Sequence, residues 1–235
     1  MKKIKNIFVL FLFLQLTSCA ELQQVVESMP QGLSNGEIAS GLKEALNKGI
    51  DKEVSKLMAP DGFFKDQMVK ILLPKDLQKV DRALRDIGLS SLADEGLLLL
   101  NRAASDAVKE AKPIFVNAIT QMTFQDAKNI LLGDQTAATE YLKQKTSNSL
   151  YAKFKPQVAQ SLQKVNADEV WRNIITKYNQ IPFVDAVNPD LTDYVTGKAM
   201  DGVFVKVGVE EKKIRTNIRE RTSNLLKKVF ALQDK

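Results

Sequence analysis

The chain has 235 residues, 44% of them hydrophobic, enough to bury a core, and 34 Lys plus Arg against 28 Asp plus Glu. It holds no histidine and one cysteine. Catalysis by Ser-His-Asp or Cys-His, His-ligated zinc, a histidine pH switch and an internal disulfide are therefore excluded, and any acid–base chemistry must run on carboxylates, Lys or Tyr.

Met1 is followed by Lys2, Lys3 and Lys5, then by the apolar run from Ile7 to Leu14, then by Leu16, Thr17, Ser18 and Cys19. Basic start, short apolar centre and small-residue end are the order of a secretory signal peptide. The run is shorter than the roughly 20 apolar residues of a spanning helix. Residues 1–18 are expected to be that peptide. Leu16-Thr17-Ser18-Cys19 resembles the lipobox of bacterial lipoproteins, which implies a diacylglycerol thioether and an N-acyl chain on Cys19. More than one acyl chain anchors a protein stably, where one holds it only marginally. Ala20, with no Asp directly after the cysteine, resembles the pattern that permits sorting to an outer membrane, which implies a lipid-anchored envelope protein facing the periplasm. Losing residues 1–18 removes three lysines, so the net charge falls from +6 to +3. Such a balance, with both signs interleaved, is a solvated globular surface and not a nucleic-acid footprint.

Residues 19–33, punctuated by Pro30 and Gly32, read as the lipidated cysteine and a tether. Residues 34–232 read as one all-α domain, a multi-helix bundle. Ser34 and Glu37 are spaced as a capping box, and Ile38, Leu42, Ala45, Leu46 and Gly49 form one helical stripe. Ala59-Pro60-Asp61-Gly62-Phe63 predicts a turn opening onto a short apolar segment that ends near Leu73. A second helix is expected from Lys75 to Gly88, with Gly88 as its stop. Ser91 with Asp94 opens a third, continuously apolar from Leu97 to Leu100 and hence expected at the centre of the bundle, with a break or kink at Pro113. Thr123 with Asp126 starts the next helix, which closes near Gly133. Helices follow over 136–149, 151–165 and 168–178, then a loop over 181–189. Asp190 and Asp193 cap a long helix. Val203, Val205, Val207 and Val209 alternate within it with the period of a strand, but no second alternating run exists to pair with them, so helix is expected. A last helix is expected over 222–232. Asp61-Gly62-Phe63-Phe64 and Asp201-Gly202-Val203-Phe204 echo each other without making a repeat.

Several of these segments are similar to a family of bacterial envelope proteins known only as a domain of unknown function, number 4197. They are 37–46, Pro60 to Phe63, Leu100 to Ala104, Ala111 to Phe115, Ala199 to Phe204, and 221–230. The resemblance implies an α-helical, lipoprotein-like domain with no assigned activity.

No catalytic residues, metal ligands or cofactor motif are assigned. Asp61, Asp201, Glu210 and Glu211 are the carboxylates open to acid–base or hard-metal chemistry, though Asp before Gly is more often turn chemistry. Arg102 and Lys112 sit in or beside an alanine-rich, largely apolar helix, where a buried cation must be paired. With Asp106, Glu110 or Asp201 as partners, they suggest an ion-pair or ligand cluster of Arg102, Lys112 and Asp201. The plainer reading lays both stems along apolar surface with their heads in water. The run Lys212, Lys213, Arg215, Arg219, Arg221, Lys227 and Lys228 is interrupted by Glu220 and reads as a solvated face. The first expectation is thus a non-enzymatic binding module for an envelope protein or an apolar small ligand. The second is a histidine-free hydrolase or transferase using carboxylates with Lys or Tyr, and the third a structural spacer.

Overall fold

In a computed structural model, residues 33–74, 90–164 and 190–234 are described, together with isolated positions between these stretches. The described residues are all-α, with no strand. Their helices are α1 (Asn35–Met58), α2 (Gly62–Lys65), α3 (Ser90–Ala107), α4 (Ala111–Gln121), α5 (Phe124–Leu132), α6 (Ala137–Gln163), α7 (Leu191–Thr216) and α8 (Asn224–Phe230). The expected helices over 75–88 and 168–178 and the loop over 181–189 lie outside the described residues. Gly88 itself is described and holds a left-handed φ of 83°.

Helix α1 starts as its sequence dictates. The Ser34 hydroxyl accepts from the Glu37 N–H, and the Glu37 carboxylate accepts from the Ser34 N–H at 2.8 Å. Its expected stripe is buried and continues through Ile50, Val54 and Leu57. Thr123 and Asp126 make a second capping box, and α5 ends at Gly133. Asp190 caps α7 by accepting from the Asp193 N–H.

Pro113 takes the third position of α4, where no N–H has an intrahelical partner to lose. Its ring would meet the carbonyl of Lys109, four residues back. There the chain tightens into a 3-10 turn, Val108–Glu110. The break therefore falls before the proline.

Two helices were expected over 136–149 and 151–165, and the structure corrects this to the single 27-residue α6 with Pro156 inside it. Leu142, Leu150, Phe154, Val158 and Leu162 are fully buried along its whole length. Each such side chain contributes about 1.5–3 kcal/mol, and several together outweigh the roughly 3 kcal/mol of one internal proline. The carbonyl left without a donor belongs to Ala152, which is exposed and can turn to water.

Helices α1 and α6 both run antiparallel to α7. Gly49 of α1 meets Glu210 and Glu53 meets Lys206, while Thr139 of α6 meets Glu211 and Tyr151 meets Asp193. The Phe115 ring of α4 stands edge-on to Phe204 of α7, with centroids 6.0 Å apart. The valine alternation in α7 is compatible with a helix, because two residues turn the chain by about 200°. Val203 and Val207 are buried and Val205 faces out. Leu100 is buried while Leu97, Leu98 and Leu99 are half-buried, so α3 is central only along its Leu100, Ala103, Ala104 and Ala107 face.

The two echoing Asp-Gly motifs meet in space. A methyl on Gly202 would stand 2.6 Å from Phe63 Cε1, so only glycine lets α2 lie this close to α7.

Candidate binding groove

From Asp66 to Leu72 the chain leaves helix and runs along α7. Asp66 fixes its start: one carboxylate oxygen accepts from the Met68 N–H at 3.0 Å, and the other from Lys206 Nζ at 2.7 Å. Burial pushes the Asp66 carboxyl up, but these two donors and the nearby cations outweigh it and hold its pKa below the usual range. Lys206 also faces Glu53 at 3.4 Å. Glu53 is only 1% exposed, so this cation compensates a charge inside the bundle.

Ile71 is held from the opposite side. The Asn101 side-chain amide accepts from the Ile71 N–H at 2.8 Å and donates to the Ile71 carbonyl at 2.9 Å. Its remaining N–H donates to the Leu97 carbonyl at 2.8 Å, so this fully buried asparagine is satisfied. One residue on, the Tyr194 hydroxyl of α7 donates to the Leu72 carbonyl at 2.8 Å. Burial raises the Tyr194 pKa, which keeps that donor neutral.

Between this pinned segment and α7 lies a cleft of about 300 Å³ lined by Met68, Lys70, Leu72, Tyr194, Asp201 and Val205, among others. Met68 is 59% exposed, Leu72 57% and Val205 42%. Single exposed apolar residues are unremarkable, but three around one cleft make a patch. Lys70 Nζ lies 4.0 Å over the Phe64 ring, and no carboxylate among the described residues pairs with it.

The residues singled out from sequence are placed as follows. Leu16, Thr17, Ser18 and Cys19 lie outside the described residues. Arg102 Nε pairs with Asp61 Oδ1 at 2.7 Å, Lys112 with Asp51, and Asp201 with Lys198 at 3.5 Å. All three are exposed, each with its own partner, and the structure does not gather them. Arg102 points outward because Leu100, Ala103, Ala104 and Ala107 take the inner face of α3. Lys112 stands outside in the same way, beside buried Ala111. Of the three, Asp201 lines the groove. Asp61 has a φ of 61° and starts α2, which is turn chemistry.

Glu210 and Glu211 are buried and diverge. Glu210 takes Lys52 at 2.6 Å, whereas Glu211 caps α6, accepting from the Ala138 and Thr139 N–H groups at 2.9 and 2.8 Å and from the Thr139 hydroxyl at 2.7 Å. The basic run at the C-terminal end is not all solvated either. Arg215 pairs with Glu211 and donates to the Ile130 and Leu131 carbonyls. Arg221, 1% exposed, donates to the Ile214 and Arg215 carbonyls and grips Asp234 with both terminal nitrogens. Beyond Glu211, one turn before Arg215, their partners are main-chain oxygens and the farther Asp234 carboxylate, which a run of cations does not announce. Asn101 did carry a signal, since a polar residue four after Leu97 and three before Ala104 falls on the buried stripe.

A lysine, a tyrosine and carboxylates come together where α6 meets the start of α7. Tyr151 donates to Asp193, and Lys155 reaches the Tyr151 hydroxyl at 2.9 Å, Asp190 at 3.2 Å and Asp193 at 3.3 Å. The Tyr151 hydroxyl and the Asp190 carboxylate raise the Lys155 pKa, and the Tyr151 hydroxyl lowers that of Asp193. A lysine held charged is no base at neutral pH. Among the described residues no three acidic or thiol groups are placed to share a metal ion, and no helix is long and apolar enough to cross a membrane. The sequence profile of a family described as protein of unknown function, DUF4197, matches residues 32–231. No curated protein and no solved structure matches the chain.

Proposed function

The chain belongs to this family of proteins of unknown function, and we propose that it is a lipid-anchored envelope protein that acts by binding, through the groove between the 66–72 segment and α7. The observation that carries the reading is the exposed trio of Met68, Leu72 and Val205 around a cleft whose far wall is fixed by Asp66, Asn101 and Tyr194. A site with its walls already in place loses little entropy when a partner docks. The titratable groups favour binding over catalysis. A general acid at neutral pH needs a carboxyl raised toward 7. The described carboxylates that depart from their ordinary values, Glu37, Glu44, Asp61, Asp66, Asp106, Asp126, Asp193 and Asp234, are all lowered.

Anchoring rests on Leu16 to Cys19. The groove opens near the Glu53 end of α1, about 30 Å along that helix from Asn35, where the tether would enter. A protein held at Cys19 can therefore present it away from the anchoring membrane. Native mass spectrometry of the full-length protein, extracted gently from its own envelope, tests the reading. A second polypeptide that is retained by the parent and lost from Leu72→Asp and Val205→Asp is expected. A small-molecule adduct on a monomer, unchanged in both variants, would refute it.

A further inference from the structure

Resting on that reading, we infer that the groove takes an extended polypeptide segment, laid parallel to residues 70–72, with an acidic side chain at Lys70 and an apolar one between Leu72 and Val205. Both polar groups of Ile71 face Asn101, so the peptide runs extended there, and successive residues in an extended chain aim their N–H and C=O groups at opposite edges. The Lys70 carbonyl and the Leu72 N–H therefore aim at the other edge. That edge faces the groove, because the Leu72 carbonyl on it is met by Tyr194 of α7.

The groups already used on that edge are the Lys70 N–H, turned back to the Asp66 carbonyl at 2.8 Å, and the Leu72 carbonyl. The Lys70 carbonyl and the Leu72 N–H have no partner among the described residues. An acceptor and a donor two residues apart on one edge are what a parallel strand bonds to with the N–H and C=O of a single residue. Addition of a strand to such an edge is a recurrent way of binding peptides, in which main-chain bonds hold the ligand and side-chain pockets select it. Lys70, which pairs with no carboxylate among the described residues, supplies the charge selection. The exposed Leu72 and Val205 supply the apolar part.

A flat bilayer is the competing occupant of an apolar patch beside lysines. Its acyl chains carry no hydrogen-bonding group, so a lipid chain entering the cleft would leave both the Lys70 carbonyl and the Leu72 N–H unmet.

Photo-crosslinking in the native envelope separates these outcomes. Benzoylphenylalanine is placed at Leu72 of the full-length protein, with exposed Val116 of α4 as the off-groove control. The expected adduct is a polypeptide whose crosslinked stretch carries an acidic residue two positions before an apolar one. A synthetic peptide of that stretch then binds the purified protein, and its affinity falls about tenfold on Lys70→Glu and about tenfold on N-methylation of the one amide opposite Ile71, the loss expected for one hydrogen bond or close ion pair. Lipid adducts at Leu72 overturn the inference in favour of a membrane surface. A polypeptide adduct whose peptide is indifferent to Lys70→Glu and to N-methylation overturns the strand pairing and leaves the groove standing. Adducts at Leu72 no more frequent than at Val116 overturn the groove itself.

Discussion

Replacing Glu211 with alanine removes one carboxylate and orphans four groups. The Ala138 and Thr139 N–H groups lose their acceptor at the start of α6, the Thr139 hydroxyl loses its partner, and Arg215 keeps only the Ile130 and Leu131 carbonyls for a buried charge. Breaking a buried pair from one side costs about 3–5 kcal/mol, mostly because the remaining charge stays inside. Glu211→Ala is therefore expected to lose about 4 kcal/mol, which for a domain of this size lowers Tm by roughly 8–16 °C. Glu211→Gln keeps an oxygen for the helix cap and gives up the charge, so about 2 kcal/mol is expected. Glu211→Leu combined with Arg215→Met removes both charges together and should recover much of the loss. Urea unfolding of the chain from Ala20 onward, followed by helical circular dichroism, measures all three. Should Glu211→Ala unfold within about 1 kcal/mol of the parent, or the double variant prove no better than the alanine, this buried pair is not what joins α6 to α7.

Four further outcomes are expected. Gly197→Ala in α7 meets nothing within 4 Å and should stabilise by about 0.5–1 kcal/mol, read from the urea midpoint. Gly202→Ala places a methyl against Phe63 and should destabilise by about 1–3 kcal/mol, and a neutral result would contradict the close approach of α2 to α7. Stability should be flat between about pH 5.5 and 9, since the chain has no histidine, and should fall on either side. On the acid side, Asp66 has its folded pKa below the unfolded value of about 3.9, so its contribution is complete above that value and drains as pH falls through the folded one. On the alkaline side, burial alone would lower Lys206, but Asp66 and Glu53 outweigh it and hold it above the unfolded value of about 10.4, so its contribution is lost as pH rises through the folded value. A sloping plateau in pH-dependent unfolding would refute the assignment. Cys19→Ser should move the protein from the membrane fraction to the soluble periplasmic fraction with its helical circular dichroism unchanged, and retention in the membrane would remove the anchor from the reading.

Much of the fold was legible because helix ends and helix faces are local chemistry. Ser34 with Glu37, Thr123 with Asp126, and Asp190 with Asp193 each satisfy first-turn N–H groups within four residues. The split expected in the middle of α6 failed for the opposite reason. Nothing local at 150 says whether two short helices or one long one forms, and the decision belongs to Leu150 and Phe154, buried against neighbours remote in sequence. The site followed the same division. Asp201 was singled out and lines the groove, but as one carboxylate beside Lys198. The alanines around Arg102 and Lys112 left a buried, paired reading open beside the plainer one with the heads in water, and the 100° step between residues puts Arg102 outside while Ala103 and Ala104 go in, as the plainer reading has it. Arg215 and Arg221 read as solvated from the charges around them and lie inside, because main-chain carbonyls at 130, 131, 214 and 215 accept from them.

The buried charges also bear on why recognition in this bundle falls to apolar side chains and main-chain groups. With no histidine and no disulfide, α1 is joined to α7 by Glu53 with Lys206 and Lys52 with Glu210, Glu211 ties the start of α6 to α7 while pairing with Arg215 one turn on, and Arg221 holds Asp234. A group that acts as an acid or base must change charge during turnover, and in the pairs buried on both sides, Glu53 with Lys206 and Glu211 with Arg215, either member would leave its partner orphaned inside the fold each time it did so. The charges that hold the bundle are thereby committed to it. At the groove the arrangement is inverted: Lys70 has no carboxylate, Leu72 and Val205 have no apolar cover among the described residues, and a main-chain acceptor and donor stand side by side without a bond. Each of those deficits is small, but all are met together by one extended acidic-apolar segment, whereas a soluble apolar ligand would meet only the second.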